Sequence, residues 1–434
     1  MFLKNKNVLV YGLGDSGRSA IKTLIEIGAK VSFFDDDINF LSNIGFEKDP
    51  FSKKYDYAII SPGVKVIENK LINHLKGAGT TILSELDLAY MLCKGKILAI
   101  TGTNGKTTTC MLVHKILKTA GFEAVLCGNI GLPFSSVAQS VKKGTIAVCE
   151  VSSFQLETSQ LFRPNIACVL NIQPDHIDRH ETFENYKNAK ERIAQRMKKK
   201  DILILNFDDE ETKSVKIHKR VQFFSKNPLK KGVFVTNGGI FVGKKRVLDL
   251  ENIKLRGEKN LENVLAAIAI CSHFHIDKDV YKMVLENFSP ASHRMEVLGV
   301  VDGVTYVDDS KATNVASTIA CVEAFKDEKI ILLAGGKSKK IDYGTLFSQK
   351  FDIKLVICFG EDREKIAESA SRFGYETEVF EKFEKAVRRS VEIAEKGDFV
   401  LLSPACSSFD EFSSYAERGE KFCELILGTR NEKC

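Results

Sequence analysis

Short apolar runs rich in β-branched and aromatic residues alternate with helical spacing along the whole chain. In the first stretch, runs at 8–11, 31–34 and 57–60 are interleaved with helical segments at 16–27, 68–76 and 85–92. Strands that are apolar throughout, separated by helices, predict a parallel sheet covered on both faces. A second series has strands at 97–100, 146–150, 167–171 and 202–205. Its tail, 233–250, alternates apolar and polar residues around Asn237-Gly238-Gly239 and predicts an antiparallel hairpin, followed by an apolar helix near 260–273. A third series begins after Pro290, with strands at 304–307, 330–334, 355–359 and 399–402. The expected fold is α/β in three domains: a Rossmann-like domain at 1–92, a central P-loop ATPase-type domain at 93–290 and a Rossmann-like C-terminal domain at 291–434. Three domains also suit 434 residues at ~150 per domain.

Charge and composition narrow the partners. Lys and Arg total 63 against 57 Asp and Glu, a formal charge of +6 spread over a chain with 28% charged residues, which argues against a nucleic-acid reader. The longest wholly apolar run, 264–271, falls far short of the ~20 residues that span a bilayer. No signal-type segment precedes the first strand, so a cytoplasmic location is expected. The eleven cysteines are scattered singly without a CxxC pair, and those at 149, 168 and 358 sit in apolar strands as small hydrophobes.

Two glycine loops carry the chemistry. Gly12-Leu13-Gly14-Asp15-Ser16-Gly17 follows a strand and opens a helix, with Asp35 at the end of the next strand. Such a turn brings backbone N–H groups to a diphosphate and an acid to a ribose, and fits a nicotinamide dinucleotide or a UDP-sugar equally. The second loop, Thr101-Gly102-Thr103-Asn104-Gly105-Lys106-Thr107-Thr108, ends in the GKT of a P-loop, although Ile100 stands where a full Walker motif has its first glycine. Two glycines, Lys106 and the Thr107 hydroxyl retain what triphosphate and Mg2+ binding require. Hydride transfer needs no triphosphate, so the pair of loops disfavours a simple dehydrogenase.

Further polar groups collect around these loops. Glu150 ends one strand and Asp175-His176 follows the next, on the same sheet edge as Lys106, which is a donor set for magnesium or manganese. Asn260 and Asn263 stand three apart at a helix start and could read an adenine edge or a phosphate, or simply cap the helix. His293-Arg294 and Asp309-Ser310-Lys311-Ala312-Thr313-Asn314 are polar loop clusters of the kind that line a cleft.

Taken together these motifs resemble the Mur ligase family, and within it the members that add D-glutamate. The resemblance spans nearly the whole chain: GLGDSG at 12–17, SPG at 61–63, GTNGKTT at 102–108, GNIGLP at 128–133, EVSSFQLE at 150–157, NIQPDHIDRH at 171–180, YKNAK at 186–190, GEKNLENVLAA at 257–267, HRME at 293–296, DDSKATN at 308–314 and LLSPACSSFDEF at 401–412. It implies an ATP-dependent amide ligase of cytoplasmic peptidoglycan precursor synthesis, acting through an acyl phosphate. The implied partners are UDP-N-acetylmuramoyl-L-alanine, D-glutamate and ATP, with neither nucleic acid nor membrane, and a monomer is expected. By position, the resemblance assigns UDP-substrate contacts to Asp15, Ser16, Asp35, Asp36, Ser61, Gly63 and Asn129. Asp36-Asp37 stands where the family carries a neutral residue and a basic one. ATP falls to Gly102, Thr103, Asn104, Gly105, Lys106, Thr107, Thr108, Asn260, Asn263, Arg294 and Asp309. D-Glutamate falls to Thr313, Lys339, Ser408, Phe409 and Tyr415. The implied catalytic groups are Lys106, His176, Lys190 and Lys311, and the implied metal set is Thr107, Glu150, His176 and Lys190 as a carbamate, holding one or two Mg2+ ions that Mn2+ can replace. A relative with altered amino-acid choice and a nicotinamide-dependent oxidoreductase remain the alternatives.

Overall fold

Three sheets organise the computed structural model, which describes residues 3–37, 46–218, 220–337 and 342–428. The first contains β1 (Asn7–Tyr11), β2 (Lys30–Phe34), β3 (Tyr57–Ile60) and β4 (Thr81–Ser84) in the order β2-β1-β3-β4, all parallel. Strand β1 shows why the run is apolar without alternation. Val8 and Val10 enter one core with Leu24 and Leu88, while Leu9 and Tyr11 enter the opposite core with Ile60 and Leu71. Successive side chains point to opposite faces, and here both faces are covered.

The second sheet comprises β5 (Lys96–Thr101), β6 (Ala124–Gly128), β7 (Ile146–Glu150), β8 (Ile166–Val169), β9 (Ile202–Asn206), β10 (Val221–Ser225), β11 (Val233–Thr236), β12 (Gly239–Val242) and β13 (Lys245–Asp249). Its order is β13-β12-β11-β10-β9-β8-β5-β7-β6, parallel from β6 to β11 and antiparallel beyond. The chain leaves β5, returns on one side as β7 and then crosses to the other as β8. The loop after β5 therefore opens at the switch point where α/β sheets bind ligands. The expected hairpin is β11–β12, and its two turn residues Asn237 (φ 47°) and Gly238 (φ 69°) both occupy the left-handed region that a two-residue turn requires.

The third sheet holds β14 (Glu296–Val301), β15 (Val304–Asp308), β16 (Lys329–Gly335), β17 (Ile353–Phe359), β18 (Thr377–Phe380) and β19 (Asp398–Ala405) in the order β14-β15-β19-β16-β17-β18. Only the β14–β15 hairpin is antiparallel.

The chain divides into two compact units, residues 1–253 with 262–287 and residues 254–261 with 288–434, so the first two sheets share one unit. Buried acids on helix Glu85–Leu92 help to join them. Asp87 completes a capping box with Ser84 and also accepts from Ser159 Oγ (2.9 Å) and the amides of Gln160, Leu161 and Phe162. Glu85 accepts from the Ser135 amide at 2.5 Å, just beyond the loop at 128–133. Among the described residues, no helix is long and apolar enough to cross a membrane.

Candidate active site

In the first unit, the glycine turn after β1 is dictated by close approach. Gly12 has φ 96°, and a Cβ there would lie 2.6 Å from Ser61 Cβ; a Cβ on Gly17 would lie 1.8 Å from the Gly12 carbonyl oxygen. The turn opens a cavity of about 830 Å³ whose lining includes all seven residues assigned to the UDP-substrate: Asp15, Ser16, Asp35, Asp36, Ser61, Gly63 and Asn129. The structure adds Arg18 and Lys65, which lie outside the motifs, and Gln155 from within the 150–157 motif. Asp35 braces the turn by accepting from the amides of Leu13 (2.5 Å) and Asp37 (2.9 Å). Asp36 accepts from Tyr11 Oη at 2.5 Å; burial above all, with this carboxylate contributing, pushes the phenol up to about 12.

The loop after β5 is equally tight. Gly105 (φ 84°) begins helix Lys106–Thr119, and a Cβ on it would lie 2.1 Å from Asn263 Oδ1. Asn104 N donates to Asn171 Oδ1 at 2.8 Å and Thr109 Oγ1 to Asn263 Oδ1 at 3.3 Å, so Asn263 braces the loop. Lys106 Nζ folds back on the carbonyls of Gly102 (2.8 Å) and Thr103 (2.9 Å). Thr103 Oγ1 is 3.1 Å from Tyr186 Oη and accepts from the Gln173 amide at 2.9 Å. Thr108 is buried behind the loop.

Glu150, at the end of β7 and 3% exposed, connects the two ligand regions. Its Oε2 accepts from Thr107 Oγ1 at 2.7 Å and its Oε1 from Asn129 Nδ2 at 2.8 Å. These partners are neutral donors, so the buried carboxylate and the Thr107 hydroxyl form an oxygen-rich set suited to a hard divalent cation. Lys190, on helix Phe183–Glu191, is 2% exposed. Its Nζ donates to the Gly102 carbonyl at 2.8 Å and lies 4.6 Å from the centre of the Tyr186 ring. Burial first, then the neighbouring Lys106, holds this amine well below the ordinary lysine range. His176 adopts φ 53° and packs edge-on to Phe154 at 4.9 Å, with Nε2 3.7 Å from Asp175 Oδ2.

The second unit gathers the remaining residues at the ends of β15, β16 and β19. Asp309 accepts from Ser403 Oγ (2.9 Å) and the Met295 amide (3.2 Å), and burial raises its carboxyl to about 7. His293 Nδ1 pairs with Asp308 Oδ2 at 2.6 Å, and Lys311 Nζ lies 3.8 Å from the centre of the Tyr415 ring. Thr313 follows in the same loop, its amide bonded to the Lys311 carbonyl at 2.8 Å. Arg294 is half-buried beside this cluster in sequence. Ser408 is buried, whereas Phe409 is 65% exposed. Asn260 donates to the Arg256 carbonyl at 2.8 Å, just ahead of its own helix, and lies 3.8 Å from the Met295 sulfur. Lys339 lies outside the described residues. In this unit sequence reasoning missed Arg418. It is wholly buried, and its guanidinium bonds Ser310 Oγ (2.9 Å) and the carbonyls of Ser310 (2.8 Å), Cys406 (3.1 Å) and Gly335 (3.4 Å). One cation thus ties together the loops after β15, β16 and β19.

Comparison with known proteins supplies the lineage. The Mur ligase middle domain matches residues 100–271, and the Mur ligase glutamate ligase domain matches 293–406. The chain is 38% identical to the UDP-N-acetylmuramoylalanine–D-glutamate ligase of Caldanaerobacter subterraneus subsp. tengcongensis, covering 99% of this chain and 100% of that one. It is 40% identical to the ligase of the same name from Caldicellulosiruptor bescii, with 98% of each chain covered. In fold it is similar to UDP-N-acetylmuramate-alanine ligase MurC of Thermotoga maritima (TM-score 0.64, 20% identity, 98% of this chain and 100% of that one). MurF ligase of Thermotoga maritima in complex with ADP gives a TM-score of 0.62 at 17% identity, over 99% of this chain and 96% of that one. A P-loop at a sheet switch point, a glycine-turn cavity beside it and full-length identity of this order to two such ligases have one common explanation: the chain belongs to the Mur ligase family.

Proposed function

We propose that the protein joins D-glutamate to the alanyl carboxylate of UDP-N-acetylmuramoyl-L-alanine, converting ATP to ADP and phosphate. The observation that carries this reading is the double engagement of Glu150. One buried carboxylate holds Thr107 of the triphosphate loop and Asn129 of the cavity wall, so the γ-phosphate and the sugar-linked carboxylate would meet at its two ends. A domain partition at 92 and 290 would give each substrate a sheet of its own: the sugar nucleotide the first, ATP the second and the amino acid the third.

In the cavity, the helix N-terminus at Asp15–Glu26 would receive the diphosphate. Arg18 and Lys65 supply cations on a lining that also carries Asp15, Asp35 and Asp36, which offsets the acidic pair at 36–37. The alanyl carboxylate attacks the γ-phosphorus, ADP departs, and the resulting acyl phosphate is the electrophile that a free carboxylate is not. Lys106 would leave its loop carbonyls for the phosphate oxygens as charge builds there. The glutamate amine then adds to the carbonyl, loses its proton, and phosphate leaves. Thr313, Lys339, Ser408, Phe409 and Tyr415 are the groups assigned to the amino acid and Lys311 is assigned to catalysis; Arg294, Asp309, Asn260 and Asn263 are assigned to the nucleotide.

Mg2+ or Mn2+, when bound, neutralises phosphate oxygens, and Thr107, Glu150 and His176 are the groups that would hold it. Burial, then the neighbouring Lys106, lowers the Lys190 amine well below the ordinary lysine range, which favours the neutral form that adds CO2, and a carbamate would turn it into an oxygen ligand. The test is phosphate release with ATP, UDP-N-acetylmuramoyl-L-alanine and D-glutamate, read together with product mass. Release that requires all three supports the reading. Release with L-lysine in place of D-glutamate moves the protein to a different amino-acid specificity, and nicotinamide reduction without phosphate release overturns the ligase.

A further inference from the structure

Arg179 lies one turn beyond His176, on the short helix Ile177–His180, and spans the first two sheets. On one edge its guanidinium pairs with Glu157, Nη2 to Oε2 at 2.7 Å and Nε to Oε2 at 3.3 Å. On the other it donates to the carbonyls of Val64 (Nη2, 2.7 Å) and Gly63 (Nη1, 3.2 Å). Its face covers the Phe154 ring at 4.7 Å, the ring against which His176 also packs. The far side of Glu157 is occupied too, since His180 Nδ1 lies 3.2 Å from Oε1 while His180 Nε2 is 3.0 Å from Ser153 Oγ.

These contacts have a direction. Gly63 and Val64 line the sugar-nucleotide cavity on one side, and Gln155, two residues before Glu157, lines it on another. We infer that Arg179 is a positioning residue that sets the distance between the nucleotide end of the cavity and the His176–P-loop end, where the substrate carboxylate must reach ATP. A lone arginine on an exposed helix would make one of these contacts. A planar fork bonded on both edges and stacked on its face holds two loops in one register, which suits a long substrate bound at one end and reacting at the other. The inference rests on the proposed ligase reading.

UDP alone fills only one end of that span, so it separates spacing from simple damage to the cavity. In Arg179→Ala, kcat/KM for UDP-N-acetylmuramoyl-L-alanine should fall roughly 10- to 100-fold, as expected for misplacement of reacting groups. The Kd for UDP and the KM for ATP should change by less than about threefold, as for interactions outside the altered distance. Arg179→Lys, which keeps one carbonyl bond, should recover part of the loss. Glu157→Gln, which leaves the loop bonds in place but removes the paired charge, should show the same pattern more weakly and covers the case in which Arg179→Ala does not fold. Equal losses for UDP and for the full substrate, or no loss in either, would overturn the role of Arg179. Failure of the unsubstituted protein to bind UDP or turn over would instead overturn the ligase reading.

Discussion

Lys190 and Lys106 share one acceptor: the Nζ of each donates to the Gly102 carbonyl oxygen at 2.8 Å. Two cations on one oxygen, one of them wholly buried, is an arrangement in which one amine does better neutral. Burial first, then Lys106, shifts Lys190 in that direction. We therefore expect Lys190→Ala to lose turnover by at least about 100-fold, the scale for removal of a charged contact made in the transition state, with partial rescue by short carboxylic acids. Carbon-13 bicarbonate should give a carbamate NMR signal in the unsubstituted protein that this variant lacks. Full activity in the variant would exclude the carbamate.

Lys106 donates to two carbonyls of its own loop, those of Gly102 and Thr103, and its removal is expected to leave the fold intact. Lys106→Ala should reduce acyl-phosphate formation by at least about 100-fold, measured by trapping the acyl phosphate with hydroxylamine, while Tm changes little. Near-normal trapping would refute the phosphate role.

Asp309 allows a prediction with a definite sign. Burial raises its carboxyl to about 7, against roughly 3.9 in an unfolded chain. Between those values the native state binds more protons than the unfolded state, so this group favours folding at low pH, and its contribution is lost as pH rises towards 7. Asp309→Asn should remove that slope, and its stability relative to the unsubstituted protein should improve from pH 4 to pH 7 in denaturant titrations. A difference that is flat with pH would show that the carboxyl is not titrating in this window.

Ser408 and Arg418 separate contact from scaffold. Ser408→Ala should raise KM for D-glutamate by about tenfold, the scale of a hydrogen bond to a charged group, and leave KM for ATP unchanged. The reverse would move the amino-acid site. Arg418→Met removes the guanidinium donor from three carbonyls and from the Ser310 hydroxyl, which keeps its bond to the Tyr415 carbonyl, and should cost about 3 kcal/mol of stability, read from chemical denaturation. A cost near zero would mean that the three loops are held otherwise.

Much of this arrangement was legible in the sequence, and the gaps have physical causes. The Asn237-Gly238 turn announced itself because few residues accept positive φ at two successive positions. Interior strands such as β5, β7 and β16 stood out because both faces are buried. The strands absent from the expectation, β4, β6, β14 and β18, are all at sheet edges, where one side meets fewer neighbours and the apolar signal weakens; β10, an interior strand, was also missed. The glycine loops were readable because spacing is their mechanism. Arg418 and Arg179 were not, since their partners are carbonyls more than eighty residues away in some cases, and a backbone oxygen leaves no letter in the sequence. Lys65 and Arg18 were passed over for a related reason: a single cation near a glycine turn reads as a solvated side chain until the cavity is seen.

The central claim is that a substrate carboxylate is activated by ATP before the amine arrives. The most direct measurement is to label the alanyl carboxylate of UDP-N-acetylmuramoyl-L-alanine with oxygen-18 and analyse the phosphate released during turnover with ATP and D-glutamate. The account predicts one labelled oxygen in each phosphate formed. Unlabelled phosphate accompanying full amide formation would contradict it.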